Sequence, residues 1–325
     1  ASTPDTVGPD DVLDVLIVGA GFAGICVAKN LLERGLSNFK IYEKSEGIGG
    51  TWWENTYPGA ACDIPSHLYC YSFEPNPNWS RKYSPQREIQ AYLERCADKY
   101  GVRPHIENGR RIVAFHFDDE SGLWRAQFED GEAVRCRHVI NGSGGLHEPL
   151  YPDIPGLDTF AGPSMHSARW DHSVEMSGKR VAVIGSAASA IQIVPQLAKV
   201  VDRLSLFQRT PNYIAPRNDR VYSFREKRRF RRRPWWLKFY RWLLFMRLEL
   251  LLFPIVKGQS WLGRRAAGRI KDFMRSSVED RELWPKLEPG YPLGCKRILI
   301  SDDFYPCLLY TSPSPRDGTK DLVCR

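Results

Sequence analysis

At 325 residues, with 42% hydrophobic and 12% aromatic content, the chain can hold two domains with packed cores, which excludes an intrinsically disordered protein. The net charge of +8 is uneven: Arg217 to Arg247 holds twelve Lys/Arg against two Asp/Glu, a local +10, so the remainder is slightly acidic. Overall basicity is therefore no argument for nucleic-acid binding. The eight cysteines include no Cys-x-x-Cys and no zinc-ligand spacing, which fits free thiols in a reducing compartment and leads us to expect no metal site.

The start of the chain shows no basic segment followed by an apolar one, and residues 1–12 are expected to be disordered. "VLDVLIVGAGFAGICVAKNLLERG" then reads as strand, glycine turn and helix. Gly19 permits the tight turn, Gly21 lets backbone approach a pyrophosphate, and Gly24 lets helix and strand pack closely. The helix N-terminus favours an anion. The next strand, "FKIYEKS", ends at Glu43, whose carboxylate can accept bonds from ribose hydroxyls. The alternative is a βα turn that binds nothing. Residues 43–73 are dense in Gly, aromatic and small residues with little period, as expected of a loop folded over a planar ring.

A second unit follows at "KRVAVIGSAASAIQIVPQLAKV", with Gly185, Ala187 and Ala190 at the three glycine positions. Its next strand ends in Gln208-Arg209. Glu43 lies 24 residues after Gly19 and Arg209 lies 24 residues after Gly185, so equivalent positions carry opposite charge. A carboxylate repels a 2′-phosphate, whereas an Arg binds one with charge-assisted hydrogen bonds. The first unit is thus assigned to a dinucleotide with a free adenosine ribose and the second to NADPH. Ser186, Ser189 and Thr210 complete the candidate contacts, and a solvated strand-end cation is the alternative for Arg209. Two such sites in one chain suggest a flavin and a nicotinamide exchanging electrons.

Between the turns stands "FAGPSMHSARWD". Beyond the second, "RNDRVYSFREKRRFRRRPWWLKFYRW" interleaves cations with aromatics. Trp235, Trp236, Phe239, Trp242, Leu243 and Met246 fit one helical face, read as a helical insertion with a solvated basic side, with weak peripheral membrane contact as the alternative. The longest uncharged run here, Leu250 to Val256, is far short of the ~20 residues that span a bilayer. No nucleic-acid fold signature occurs, and a cytoplasmic protein is expected.

The loop after Glu43 resembles Baeyer–Villiger monooxygenases, within the class B flavoprotein monooxygenases. The shared residues are Gly49-Gly50-Thr51-Trp52, Asn55, Tyr57-Pro58-Gly59, Cys62-Asp63, Tyr69 and Ser72-Phe73. Thr56 departs from the Arg found in many members. The family fingerprint is matched at Phe160, Gly162, His166, Trp170 and Asp171, in a linker that couples two domains; His166 is not assigned as an acid or base. "GYPLGCKRILISDDFYP" resembles the family segment with the active-site arginine, which maps to Arg297. Lys296 becomes a further NADP⁺ contact and Asp63 the acid that holds a buried Arg297 in position.

The resemblance implies an α/β fold with two Rossmann-like dinucleotide-binding domains, for FAD and NADPH, and a helical insertion in the second. FAD would use Gly19, Gly21, Gly24, Glu43, Thr51, Trp52, Asp63 and Tyr69. The implied reaction inserts one atom of molecular oxygen beside a ketone carbonyl, giving an ester or lactone by way of a flavin peroxide. The expected boundaries are an incomplete FAD domain at 13–150, a linker at 151–175 and an NADPH domain at 176–295 with its insert at 217–285. Residues 296–306 return to the FAD domain. The tail, 307–325, has no family counterpart and reads as the mark of a truncated or out-of-frame product. Alternatives are an N- or S-oxygenating flavin monooxygenase acting on a heteroatom, opposed by Trp170-Asp171 and Arg297, and an inactive fragment whose basic insert touches membrane. A disulfide reductase would need the absent Cys-x-x-Cys.

Overall fold

A computed structural model describes residues 12–256, 260–308 and 322–324; the expected N-terminal disorder and most of the tail lie outside them. The chain divides into two compact units, one drawn from Ala1–Thr56 and Gln86–Trp170, the other from Tyr57–Pro85 and Asp171–Arg325.

The first unit is built on a six-stranded sheet of order β3-β2-β1-β6-β5-β4. Strand β1 (Val12–Val18) is its parallel centre, and Leu13, Leu16 and Ile17 are buried, as a strand covered on both faces requires. Helix α1 (Phe22–Glu33) follows and buries Ile25 and Ala28. Strand β2 (Phe39–Tyr42) runs parallel to β1 on one side. After the one-turn α2 (Thr51–Glu54), helix α3 (Gln86–Lys99) buries Ile89, Leu93 and Cys96, one stripe at helical spacing. Strand β3 (Ile106–Glu107) extends the parallel part beyond β2. Strands β4 (Ile112–Asp118) and β5 (Leu123–Phe128) form an antiparallel meander that ends in β6 (Ala133–Asn141), which returns parallel to β1. The glycine turn thus leaves the carboxyl end of β1 between β2 and β6, the place where open α/β sheets bind ligands.

In the second unit, β7 (Arg180–Ile184), α4 (Ala190–Leu197) and β8 (Arg203–Gln208) make a parallel βαβ unit. The two-residue β9 (Ile214–Ala215) precedes a helical stretch: α5 (Phe224–Arg232), α6 (Pro234–Arg247), a π-turn at Leu248–Leu252, α7 (Phe253–Val256), α8 (Trp261–Ser277) and α9 (Trp284–Leu287). Strand β10 (Leu299–Ile300) then pairs with β9, and α10 (Phe304–Cys307) follows. Ile191, Val194, Leu206, Met274, Phe304 and Tyr305 share one buried cluster.

Two boundaries differ from expectation. Residues 57–85, placed by sequence in the first domain, pack in the second unit: Lys82 donates to the Arg220 carbonyl at 2.9 Å, Tyr222 donates to that of Ser80 at 2.9 Å, and Arg81 pairs with Asp219. Residues 296–306 also stay in the second unit, because β10 completes β9 and Phe304 and Tyr305 fill its core. Within the tail, β11 (Leu322–Cys324) adds a parallel edge strand to β8.

Candidate functional site

The first glycine turn is shaped by three different demands. Gly19 has φ +88°, in the left-handed region that favours glycine, and its amide donates to the Tyr42 carbonyl at 2.8 Å. A Cβ on Gly24 would lie 2.0 Å from the Gly19 carbonyl oxygen, so close helix–strand packing forbids any side chain there. A Cβ on Gly21 would meet nothing nearer than Gly50 Cα at 3.7 Å. Gly21 also caps α1 without a side-chain hydrogen bond, which leaves the first N–H groups to an anion. The residues present thus fit a dinucleotide pyrophosphate.

Glu43 is placed differently from the simple expectation. It is buried, its Oε2 accepts from the Ala20 amide at 2.8 Å and its Oε1 from the Ser45 amide at 2.9 Å. The carboxylate therefore fixes the turn first and has only its remaining lone pairs for a ribose. The Gly49–Trp52 segment folds back on the same turn, with the Gly49 amide on the Ala20 carbonyl at 3.0 Å. Thr51 opens α2, and the carbonyl of buried Trp52 accepts from the Gln86 side chain. Gln90 supports the loop from below through the Ile48 carbonyl at 2.7 Å. Sequence reasoning missed Gln86, Gln90 and Gly142, whose carbonyl oxygen would sit 2.9 Å from a Cβ on Gly19. The available signals were a Gln pair one helical turn apart and the glycines that end "VINGSGG".

The fingerprint falls where the chain passes from one unit to the other: Trp170 ends the first and Asp171 resumes the second. His166 is an N-cap whose Nδ1 accepts from the Ala168 amide at 3.1 Å, with Tyr151 edge-on to its ring. Phe160 is exposed and its ring leans over Gly162, where a Cβ would be 2.7 Å from it. Asp171 accepts from the Ser173 amide at 2.8 Å and hydroxyl at 2.6 Å, bonds that hold its carboxyl below the usual range.

In the second turn Gly185 has φ +103° and donates to the Phe207 carbonyl at 2.7 Å. Buried Ser186 is held by the Asn212 side chain at its carbonyl, 2.9 Å. Ser189 caps α4 without a side-chain bond to the helix. At the end of β8, Gln208 turns inward and donates to the Lys286 carbonyl at 2.7 Å, while Arg209 is exposed and Thr210 half-buried.

The same unit joins Asp63 to Arg297, separated by 234 residues in sequence, through Oδ2 and Nη2. Arg297 is 61% exposed, not buried as expected, because one ion pair and the flanking strand leave most of the guanidinium uncovered. Lys296 lies with its ammonium 4.9 Å from the Tyr291 ring centroid. The segment before Asp63 is clamped to α4 by Gln192, which donates to the Ala61 carbonyl at 3.0 Å and accepts from the Tyr57 hydroxyl at 3.2 Å. Burial pushes the Tyr57 phenol up despite its bond to Ser189. Burial likewise pushes the Cys62 thiol up to about 11, which keeps it protonated. Tyr69 stands half-buried on the same loop, its amide on the Pro65 carbonyl at 3.1 Å.

Of the six residues assigned to one helical face, Trp236 and Met246 are half-buried and the other four are exposed. Trp235, Phe239, Trp242 and Leu243 face solvent, and Leu237 is the buried side chain of α6. Periodicity finds a face but not what covers it.

The family model for flavin-binding monooxygenase-like proteins matches residues 13–226. A Baeyer–Villiger monooxygenase of Streptomyces coelicolor is 44% identical over 90% of this chain and 56% of its own length. Another from Pseudomonas aeruginosa is 43% identical with the same coverage. Among solved structures, an oxidised steroid monooxygenase bound to NADP superposes with TM-score 0.81 at 29% identity, over 93% of this chain and 64% of that one. A cyclohexanone monooxygenase from Rhodococcus sp. Phi1 bound to NADP⁺ does so with TM-score 0.81 at 28% identity, over 92% and 63%. The chain spans little more than half the length of the curated relatives it matches.

Proposed function

The chain belongs to the flavin-binding monooxygenase-like family, and from that premise we propose that it carries the FAD and NADPH half-sites of a Baeyer–Villiger monooxygenase. Such an enzyme would use molecular oxygen to turn a small-molecule ketone into an ester or lactone. The observation that carries this reading is the Asp63–Arg297 ion pair. An N-oxygenating or S-oxygenating enzyme has no comparable need for a fixed cation at a carbonyl.

When bound, FAD supplies oxygen activation and NADPH supplies the hydride. This chain's residues then do four things. Gly21 and the uncapped N-terminus of α1 receive the FAD pyrophosphate, with Glu43 fixing the turn and offering its remaining lone pairs to the ribose. Thr51 and Trp52 line the loop side. Gly185, Ser186 and Ser189 receive the NADPH pyrophosphate, while Arg209 and Thr210 take the 2′-phosphate and Lys296 adds a cation. Asp63 would hold Arg297 through one of its five N–H donors, leaving the other donors to stabilise negative charge on a ketone-derived oxygen. One such preorganised donor is worth about 3–4 kcal/mol of barrier. His166 is assigned no acid or base role; its Nδ1 accepts from the Ala168 backbone amide.

The test is the visible spectrum of the purified chain with FAD, then with NADPH without air, then with air and a ketone. Bound flavin that bleaches with NADPH and yields ester on aeration is expected. Arg297→Ala should keep the bleaching and lose ester formation by about a hundredfold or more. Ester formation at the unaltered rate in that variant refutes the assignment.

A further inference from the structure

Helices α5 and α6 place an aromatic row beside a basic cluster, and the proposed oxygenation uses neither. The inner side of α6 is anchored in its unit: Leu237 is buried, and Arg241 donates to the His67 carbonyl at 2.7 Å. The outer side carries Trp235, Phe239, Trp242 and Leu243, exposed at 61%, 44%, 53% and 48%. These positions recur every three or four residues and so form one stripe. Ring centroids lie 5.5 Å apart for Trp236–Phe239 and 5.7 Å for Phe239–Trp242, which makes the row continuous. The Arg229 guanidinium sits 3.9 Å from the Trp236 ring centroid. It joins the row to α5, where Arg225, Arg228, Arg231 and Arg232 are exposed.

We infer that this face is a peripheral docking surface for an anionic lipid bilayer. Helix α6 lies flat at the headgroup level with its aromatic row toward the acyl chains, and the α5 arginines meet the lipid phosphates. Three observations select this occupant. The local charge of +10 complements anionic headgroups. A second copy of the chain would bring two such segments together, and like charges repel. Nucleic acid would satisfy the arginines but offers no apolar phase for a stripe of Trp, Phe and Leu. The helix cannot span instead: its 14 residues reach only about 20 Å, and no helix among the described residues is long and apolar enough to cross a membrane. Exposed Trp and Phe beside Lys and Arg are what interfacial helices present.

Flotation of the purified 325-residue chain tests this with neutral phosphatidylcholine vesicles and with vesicles of about one-third phosphatidylserine. The chain should float with the anionic vesicles at least about tenfold more than with neutral ones, lose most of that at high salt, and shift its Trp emission to the blue. Joint replacement Trp235→Ser, Phe239→Ser and Trp242→Ser should abolish flotation while leaving circular dichroism and melting unchanged, since these side chains are already exposed. Should the triple variant misfold, Trp242→Ser alone is expected to lower flotation severalfold. The inference fails if anionic vesicles capture no protein, or if capture ignores the aromatic replacements. It also fails if the chain is instead a dimer that the same replacements dissociate, or binds an oligonucleotide through this face without binding vesicles.

Discussion

Gly21 and Gly24 stand three residues apart in one turn, yet they answer to different partners. The Gly24 position is closed by the protein itself, with a Cβ 2.0 Å from a backbone oxygen, whereas Gly21 is open toward the place assigned to the pyrophosphate. Gly24→Ala is therefore expected to destabilise the first unit by about 1–3 kcal/mol through overpacking, read as a lower melting temperature without any cofactor. Gly21→Ala should leave that temperature nearly unchanged and weaken FAD binding severalfold by titration. Equal melting of the two variants would contradict the distinction. His67 offers a second test at this scale. It is 1% exposed among the rings of Tyr222, Phe230 and Tyr240, and neither ring nitrogen has a hydrogen-bond partner among the described residues. Burial, aided by Arg241 and Arg220, lowers its pKa from 6.5 to about 4. The unfolded chain thus takes up a proton near pH 6.5 that the folded chain refuses until about pH 4. The associated stability, roughly 3 kcal/mol, is present above pH 6.5 and is lost as pH falls to about 4. His67→Phe should flatten that part of the stability–pH curve from denaturant titrations, and an unchanged slope would count against the buried neutral imidazole.

At the scale of elements, the end of β8 shows how far a sequence can be read. Strand alternation turns Gln208 inward to the Lys286 carbonyl and Arg209 outward. If Arg209 reads the 2′-phosphate, Arg209→Ala should raise the KM for NADPH by about tenfold or more and leave that for NADH within a factor of about two. An equal loss for both cofactors would mark Arg209 as a general electrostatic contributor. Both βα turns were legible because glycine spacing, β-branched runs and helical periodicity are local signals. The link between Asp63 and Arg297 was not local, and only the family resemblance joined them. The Glu43 carboxylate was found at its position but not in its bonds, since the amides of Ala20 and Ser45 reach it through a fold that strand ends do not reveal. The stripe on α6 was found as a stripe, but periodicity is the same whether a face meets a core or water.

At the scale of the molecule, the chain leaves its first unit after Thr56 and returns at Gln86, giving residues 57–85 to the second. Sequence order assigns that excursion to the first domain because it follows the first glycine turn directly. Its packing says otherwise: Trp79 is fully buried, Tyr222 donates to the Ser80 carbonyl, His67 sits among rings of α5 and α6, and Ser66 and Ser84 share a hydrogen bond of 2.8 Å inside the excursion. The excursion and residues 171–308 should then open as one cooperative unit. Trp79→Ala removes a large buried ring and is expected to cost about 3–5 kcal/mol. Hydrogen exchange followed by mass spectrometry should show faster exchange in 57–85 and in the βαβ and helical segments of the second unit. Peptides from β1, α1 and α3 should keep their protection. Faster exchange confined to 12–56, or spread equally through both units, would return the excursion to the first domain. It would also remove the reason to place Asp63 and Arg297 on one scaffold, for that pair holds its geometry only if both partners ride on the same cooperative body.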